Sequence, residues 1–156
     1  MKKILILILG ICLATEGYSQ AVYTIGPMLH FNFGESKRPT VSFAIEGAYW
    51  NIKSFPYSFD VGLEWERGKF RIYSEAQTGI GLMGVSSGPF LEFSSAPVKL
   101  GLQMSAWANY FWGFDFRYRI NSGKNVISPG TYVKLPVATQ GLKKSNSSGS
   151  SSNWDD

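Results

Sequence analysis

The sequence predicts an all-β protein, an antiparallel up-and-down β-barrel of about eight strands, and three observations carry that prediction. The run from Tyr57 to Glu66 alternates without a fault. Tyr57, Phe59, Val61, Leu63 and Trp65 share one parity; Ser58, Asp60, Gly62, Glu64 and Glu66 share the other. Successive side chains of a strand point to opposite faces, so one face is apolar and the other polar or small. The same split recurs along most of the chain. Composition agrees: with 17% charged residues, 15% aromatics and 17 glycines, the chain suits a turn-rich β-protein better than a helical one.

The N-terminal segment is set apart before the strands. Met1-Lys2-Lys3 is a short positive region, and Ile4 to Ala14 is almost unbroken apolar sequence. That run is shorter than the roughly 20 residues a spanning helix needs. Small residues follow at Gly17 and Ser19, the spacing a signal peptidase requires, so residues 1–19 read as a cleaved secretory signal. Cys12 lies inside it, preceded by bulky Ile11 where acylation of a lipoprotein wants a small residue. Lipidation is therefore the disfavoured reading. The remaining chain has no cysteine, hence no disulfide and no thiolate metal site.

Residues 20–138 read as one barrel domain, element by element. From Ala21 to Phe33 the apolar parity holds Tyr23, Ile25, Pro27, Leu29, Phe31 and Phe33, opposite Val22, Thr24, Gly26, Met28, His30 and Asn32. A loop from Gly34 to Pro39 leads to Val41, Phe43, Ile45 and Tyr49, set against Ser42, Ala44, Glu46 and Ala48. Ser54-Phe55-Pro56 is a turn, and the strand through Tyr57–Glu66 follows. Arg67-Gly68 closes a tight hairpin, glycine supplying the positive φ. The fourth run places Phe70, Ile72, Ala76 and Ile80 against Lys69, Arg71, Glu75 and Gln77. Gly84 to Gly88 reads as a Gly/Ser turn before a short fifth strand, Pro89 to Phe93, carrying Glu92. The sixth sets Val98, Leu100, Leu102, Met104 and Ala106 against Lys99, Gly101, Gln103 and Ser105, and breaks near Asn109-Tyr110. The seventh sets Trp112, Phe114, Phe116, Tyr118 and Ile120 against Gly113, Asp115, Arg117 and Arg119. Asn121 to Gly130 reads as a loop. The eighth strand runs from Thr131 to about Val137, with Tyr132 and Lys134 on the polar side. Residues 139–156, rich in serine, have nothing to bury and read as a disordered tail.

Alternation alone leaves open which face turns inward. A soluble calycin-type barrel puts the apolar face inside, and a membrane barrel inverts this. The polar face carries Glu46, Asp60, Glu64, Glu66, Glu75, Glu92 and Asp115 against Lys69, Arg71, Lys99, Arg117, Arg119 and Lys134. Seven acids against six bases is the near-balance an enclosed ion-pair network needs, because unpaired buried charge costs several kcal/mol. Interspersed Gly, Ala and Ser suit a narrow eight-stranded lumen. Aromatic residues at strand ends, Tyr23, Tyr49, Tyr57, Trp65, Trp112 and Tyr118, suit interfacial girdles. The inverted, membrane arrangement is the favoured one.

The signal ending in Tyr18-Ser19-Gln20, the amphipathic strands and the short turns resemble the small eight-stranded outer-membrane β-barrel proteins of Gram-negative bacteria, the OmpA/OmpX-like type, over about residues 21–138. Ser128 to Leu135 is similar to the final-strand insertion signal of that class, although there an aromatic residue ends the chain and here a Ser-rich segment follows. The resemblance implies an outer-membrane location, outer-membrane lipid as the surrounding partner, and a monomer.

Three motifs carry alternative chemistry. Gly79-Ile80-Gly81-Leu82-Met83-Gly84 matches G-x-G-x-x-G, but Val85 to Pro89 cannot open the helix that would hold a pyrophosphate, so no cofactor is expected. His30 is the only histidine, too little for a metal site without a carboxylate cluster, and no catalytic serine motif accompanies it. It reads as a hydrogen-bonded lumen or rim residue rather than the base of a lipid hydrolase. Asp60, Glu64 and Glu66 line one face of one strand and meet bases there rather than forming a glycosidase pair. A net charge of +3 after removal of the signal, without a dense Lys/Arg run, gives no reason to expect nucleic acid.

The sequence therefore predicts a non-enzymatic outer-membrane barrel with a side-chain-filled polar lumen and a structural or interaction role. Its contact surfaces would be the loops Gly34–Pro39 and Asn121–Gly130. The alternative is a secreted soluble barrel that binds a small hydrophobic ligand in an apolar interior. An outer-membrane lipid hydrolase is the remote one.

Overall fold

The computed structural model describes residues 21–34, 36–51, 56–80, 82–121 and 124–140. Nine strands follow in order: β1 (Ala21–Asn32), β2 (Thr40–Asn51), β3 (Tyr57–Glu66), β4 (Lys69–Ile80), β5 (Met83–Phe93), β6 (Lys99–Ala108), β7 (Trp112–Asn121), β8 (Lys124–Val133) and β9 (Leu135–Gln140). Each is antiparallel to its sequence neighbour from β1 to β8, and β8 returns to β1 through Met28–Tyr132, Leu29–Thr131 and His30–Gly130. The ring is thus a closed eight-strand up-and-down barrel, and closure removes the exposed edges an open sheet would leave. β9 continues along β1 from Ile25–Leu135 to Ala21–Gln140, with a bulge at Tyr23/Thr24. The ladder therefore extends to Gln140. The expected signal and most of the Ser-rich tail lie outside the described residues.

One end of the barrel, here the near end, holds the start of β1. The far end carries the connections 34–39, 67–68, 94–98 and 122–123. Glu66 pairs with Lys69, so Arg67-Gly68 is a two-residue hairpin as the sequence predicts, with positive φ at Gly68.

Two predicted turns are strands. Ile80 pairs with Met83, so β5 begins at Met83 and Gly84 to Gly88 are part of an eleven-residue strand. Asn121 pairs with Lys124, so β8 begins at Lys124 and the expected loop to Gly130 is wall. Pro129 is tolerated because it sits where the ladder to β1 is interrupted, between His30–Gly130 and the bridge Phe33–Ile127. A proline there removes no needed donor.

The polar parity faces inward on the eight strands of the ring, β1 to β8, and the apolar parity outward. Ala44, Ser42, Asp60 and Glu64 are wholly buried, whereas Phe59, Val61, Phe114 and Leu102 are each more than half exposed. Large interior side chains fit because small ones face them. A Cβ at Gly62 would collide with the Tyr73 ring, and one at Gly130 with the His30 ring.

Candidate functional site: a charged lumen

Strand parity puts the chemistry of this chain inside the barrel. Eleven of the thirteen charged residues expected on the inner face are buried there; Lys69 and Lys99 are not. Those two lie at the far mouth, half-exposed, Lys69 at the start of β4 and Lys99 at the start of β6. The expected near-balance is therefore corrected. Seven carboxylates share the interior with Arg71, Arg117, Arg119 and Lys134. Both stand on the first residue of a strand at the mouth, where a long lysine side chain reaches solvent despite inward parity, which is why alternation overcounts the bases.

The network is layered along the barrel axis. Nearest the far end, Arg71 reaches Glu64 at 2.9 Å, Glu66 at 2.7 Å and Glu92 at 2.8 Å. Lys99 stands 3.7 Å from the other oxygen of Glu92, and the Thr40 hydroxyl donates to Glu66. Below it Arg119 donates to Glu64, to Gln103 at 3.1 Å, and to Asn32 and Ser128 at 3.3 Å each. At mid-height Arg117 donates to Glu46 at 2.8 Å and Asp115 at 2.7 Å, and its guanidinium lies 4.5 Å from the centre of the Tyr73 ring. The Tyr73 hydroxyl donates to the same Glu46 at 2.7 Å. Toward the near end Lys134 bridges Glu46 at 2.5 Å and Asp60 at 3.1 Å. Asp60 also accepts from Ser58 and Gln77. Each of these carboxylates thus has a cation or several donors, the condition under which a buried charge is tolerated.

Glu75 is the exception in kind. It is buried, and the hydrogen bonds to its oxygens come from neutral groups: Gln103 at 2.7 Å, Ser105 at 2.8 Å and Ser86 at 2.9 Å. Ser105 and Gln77 look dispensable as small or neutral strand residues, but here they hold buried carboxylates.

His30, also fully buried, meets Asp115 at 2.6 Å through Nε2. Its carboxylate comes from β7, which does not neighbour β1 in the wall, so the contact crosses the lumen. The near end closes differently. Trp50, Trp107 and Tyr110 meet with ring centroids 5.2–5.5 Å apart, and Lys134 sits 5.8 Å from the Trp50 ring. Between these layers a void of about 10 Å³ remains beside Glu46, Glu75 and Arg117, at the lower limit of what holds one water.

Sequence reasoning placed the charged members and missed their neutral partners. Tyr73, Gln103, Ser86, Asn32 and Ser128 all have inward parity, so parity alone could have nominated them. Some of their partners lie beyond the neighbouring strand, Glu46 of β2 for Tyr73 of β4 and Glu75 of β4 for Gln103 of β6, which no local pattern encodes; Ser86 and Ser128 meet Glu75 and Arg119 on adjacent strands. Among the described residues no cluster of His, Cys, Asp or Glu has the arrangement of a metal site.

No protein-family model and no curated protein matches the sequence. Among solved structures, one from the de novo design of transmembrane β-barrels matches at a TM-score of 0.49 and 12% identity, covering 72% of this chain and 95% of its own. The eight-strand closure stands on the ladder of this chain itself.

Proposed function

We propose that this chain is a membrane-spanning β-barrel of an outer membrane, non-enzymatic, with a lumen sealed by its own side chains and a structural or interaction role. One observation supports the reading above the rest: the charges lie inside and the large apolar side chains outside. In water that arrangement would expose an apolar belt around the whole molecule, far larger than the patches soluble monomers carry. In a bilayer the same belt is the solvated surface, and strands of 10–12 residues match the 9–11 a tilted spanning strand needs. Aromatic pairs outside, Tyr23–Tyr49 and Trp65–Phe70, suit girdles. A soluble barrel carrying a hydrophobic ligand would need an apolar interior, and the buried carboxylates argue against it. Enzymatic use of His30 is disfavoured by its complete burial against Asp115.

Cell fractionation tests this directly. The protein should require detergent for extraction and should migrate faster on gels before heating than after. Reconstituted in planar bilayers it should show no steady conductance. Release as a soluble monomer into buffer would overturn the membrane reading, and stable conductance would overturn the sealed lumen.

A further inference from the structure

Among the described residues all seven carboxylates are buried. The bases divide: four are buried with the acids, while Lys37, Arg38, Arg67, Lys69, Lys99 and Lys124 are exposed or half-exposed. These six all lie at the far end. Each of the four connections there carries at least one: Lys37 and Arg38 on 34–39, Arg67 and Lys69 at 67–68, Lys99 after 94–98, and Lys124 after 122–123. The near end presents no exposed charge among the described residues. Among the described residues the far mouth therefore carries exposed charge of one sign.

Directly below these bases, on the outer wall, an arc of aromatics crosses β2 to β5: Phe43 to Trp65 at 6.3 Å, Trp65 to Phe70 at 5.5 Å, and Phe70 to Phe93 at 6.1 Å between centroids. An aromatic arc at the edge of an apolar belt marks the level of the bilayer interface. Cations just beyond it stand at the height of lipid phosphates.

Resting on the membrane reading above, we propose that this basic rim binds the phosphate headgroups of anionic lipids in the leaflet at the far end. Distribution favours lipid over an acidic protein. The bases are spread around the whole mouth on connections too short to clasp a partner, the arrangement suited to headgroups that surround the barrel. A Lys or Arg close to an anionic membrane surface strengthens association by about fivefold at low salt. The effect weakens as the Debye length shrinks to about 3 Å at 1 M salt.

The test uses the full chain folded in phosphatidylcholine bilayers, with and without added phosphatidylglycerol. Electron spin resonance of spin-labelled lipids then measures the relative association of the two headgroups with the barrel. Phosphatidylglycerol should be preferred several-fold, the preference fading toward 1 M salt. The variant Lys37→Gln/Arg38→Gln/Arg67→Gln should lose most of it while keeping heat-modifiable migration. Should that variant not fold, Lys37→Gln/Arg38→Gln and the salt titration of the native chain give the same readout. Equal association of both lipids with the native chain, or a preference untouched by the substitutions, would overturn the proposal while leaving the membrane reading standing. Capture of polyglutamate on phosphatidylcholine bilayers without lipid preference would overturn it in favour of an acidic polypeptide partner. Failure to insert into either bilayer would sink the membrane reading itself and this proposal with it.

Discussion

At the near end of the lumen Trp107 and Tyr110 each meet Trp50 edge to face; at the far end Arg71 gathers Glu64, Glu66 and Glu92 within 2.9 Å. The two ends are filled by different physics. Aromatic closure scales with area and tolerates imperfect fit, and ring pairs add about 0.5–1.5 kcal/mol beyond burial. Ionic closure depends on stoichiometry, because a charge left alone retains its desolvation penalty of several kcal/mol. The first should respond to mutation smoothly and the second abruptly.

The largest effect should come from Glu64→Ala, which takes from Arg119 its carboxylate partner and from Arg71 one of three. Unfolding in urea from bilayers should show a loss of about 3–5 kcal/mol. Glu64→Ala/Arg71→Ala should be less harmful than the sum of its parts, since each single change leaves a charge uncompensated. Strict additivity would place these groups in open solvent and dissolve the contrast between the ends. Next, Leu63→Arg or Phe116→Arg on the outer wall should cost roughly 2–4 kcal/mol at mid-bilayer depth and impair assembly. Indifference to either would put that wall in water.

Ser105→Ala sharpens the comparison further. It removes a neutral donor from a carboxylate held by neutral donors, and should cost about 1–3 kcal/mol. A silent result would show that Glu75 takes its stability elsewhere. Smallest of all should be the coupling between Trp50→Leu and Trp107→Leu in a double-mutant cycle, about 0.5–1.5 kcal/mol. A coupling there as large as that of Glu64 with Arg71 would mean the near end is as stoichiometric as the far one.

Where alternation ran clean, as through Tyr57–Glu66 and Trp112–Ile120, the sequence was enough to place each residue on its face. It misled at Gly84–Gly88 and Asn121–Gly130, where glycine, serine and proline read as turns. In a narrow barrel those residues serve the wall. A Cβ on Gly84 would meet the Trp107 ring, and Ser86 and Ser128 point inward to bind Glu75 and Arg119. Small residues are needed there because large side chains occupy the adjoining positions of the neighbouring strand, as Trp107 stands opposite Gly84, and that opposition is set by the pairing register rather than by any one segment. The charged set was legible, and so was the meeting of Glu64 and Glu66 with Arg71 across the tight hairpin, for the same reason that pairing between strands further apart was not. Facing follows from parity within one strand, whereas partnership is fixed only by how many strands complete the ring.

That separation between local wall and distant interior has a kinetic consequence. The hairpins join neighbours in sequence, but Arg119 and Glu64 are 55 residues apart, Arg117 and Glu46 71, Lys134 and Asp60 74, His30 and Asp115 85, and Ser128 and Asn32 96. Contacts so remote along the chain carry a heavy loop-closure cost and form late. A half-wound sheet would hold carboxylates and guanidinium groups without their counterparts, so no partially zipped species is well solvated by either water or lipid. Assembly should then proceed as one concerted event, with closure of β8 on β1 and completion of the interior occurring together and few stable stopping points between.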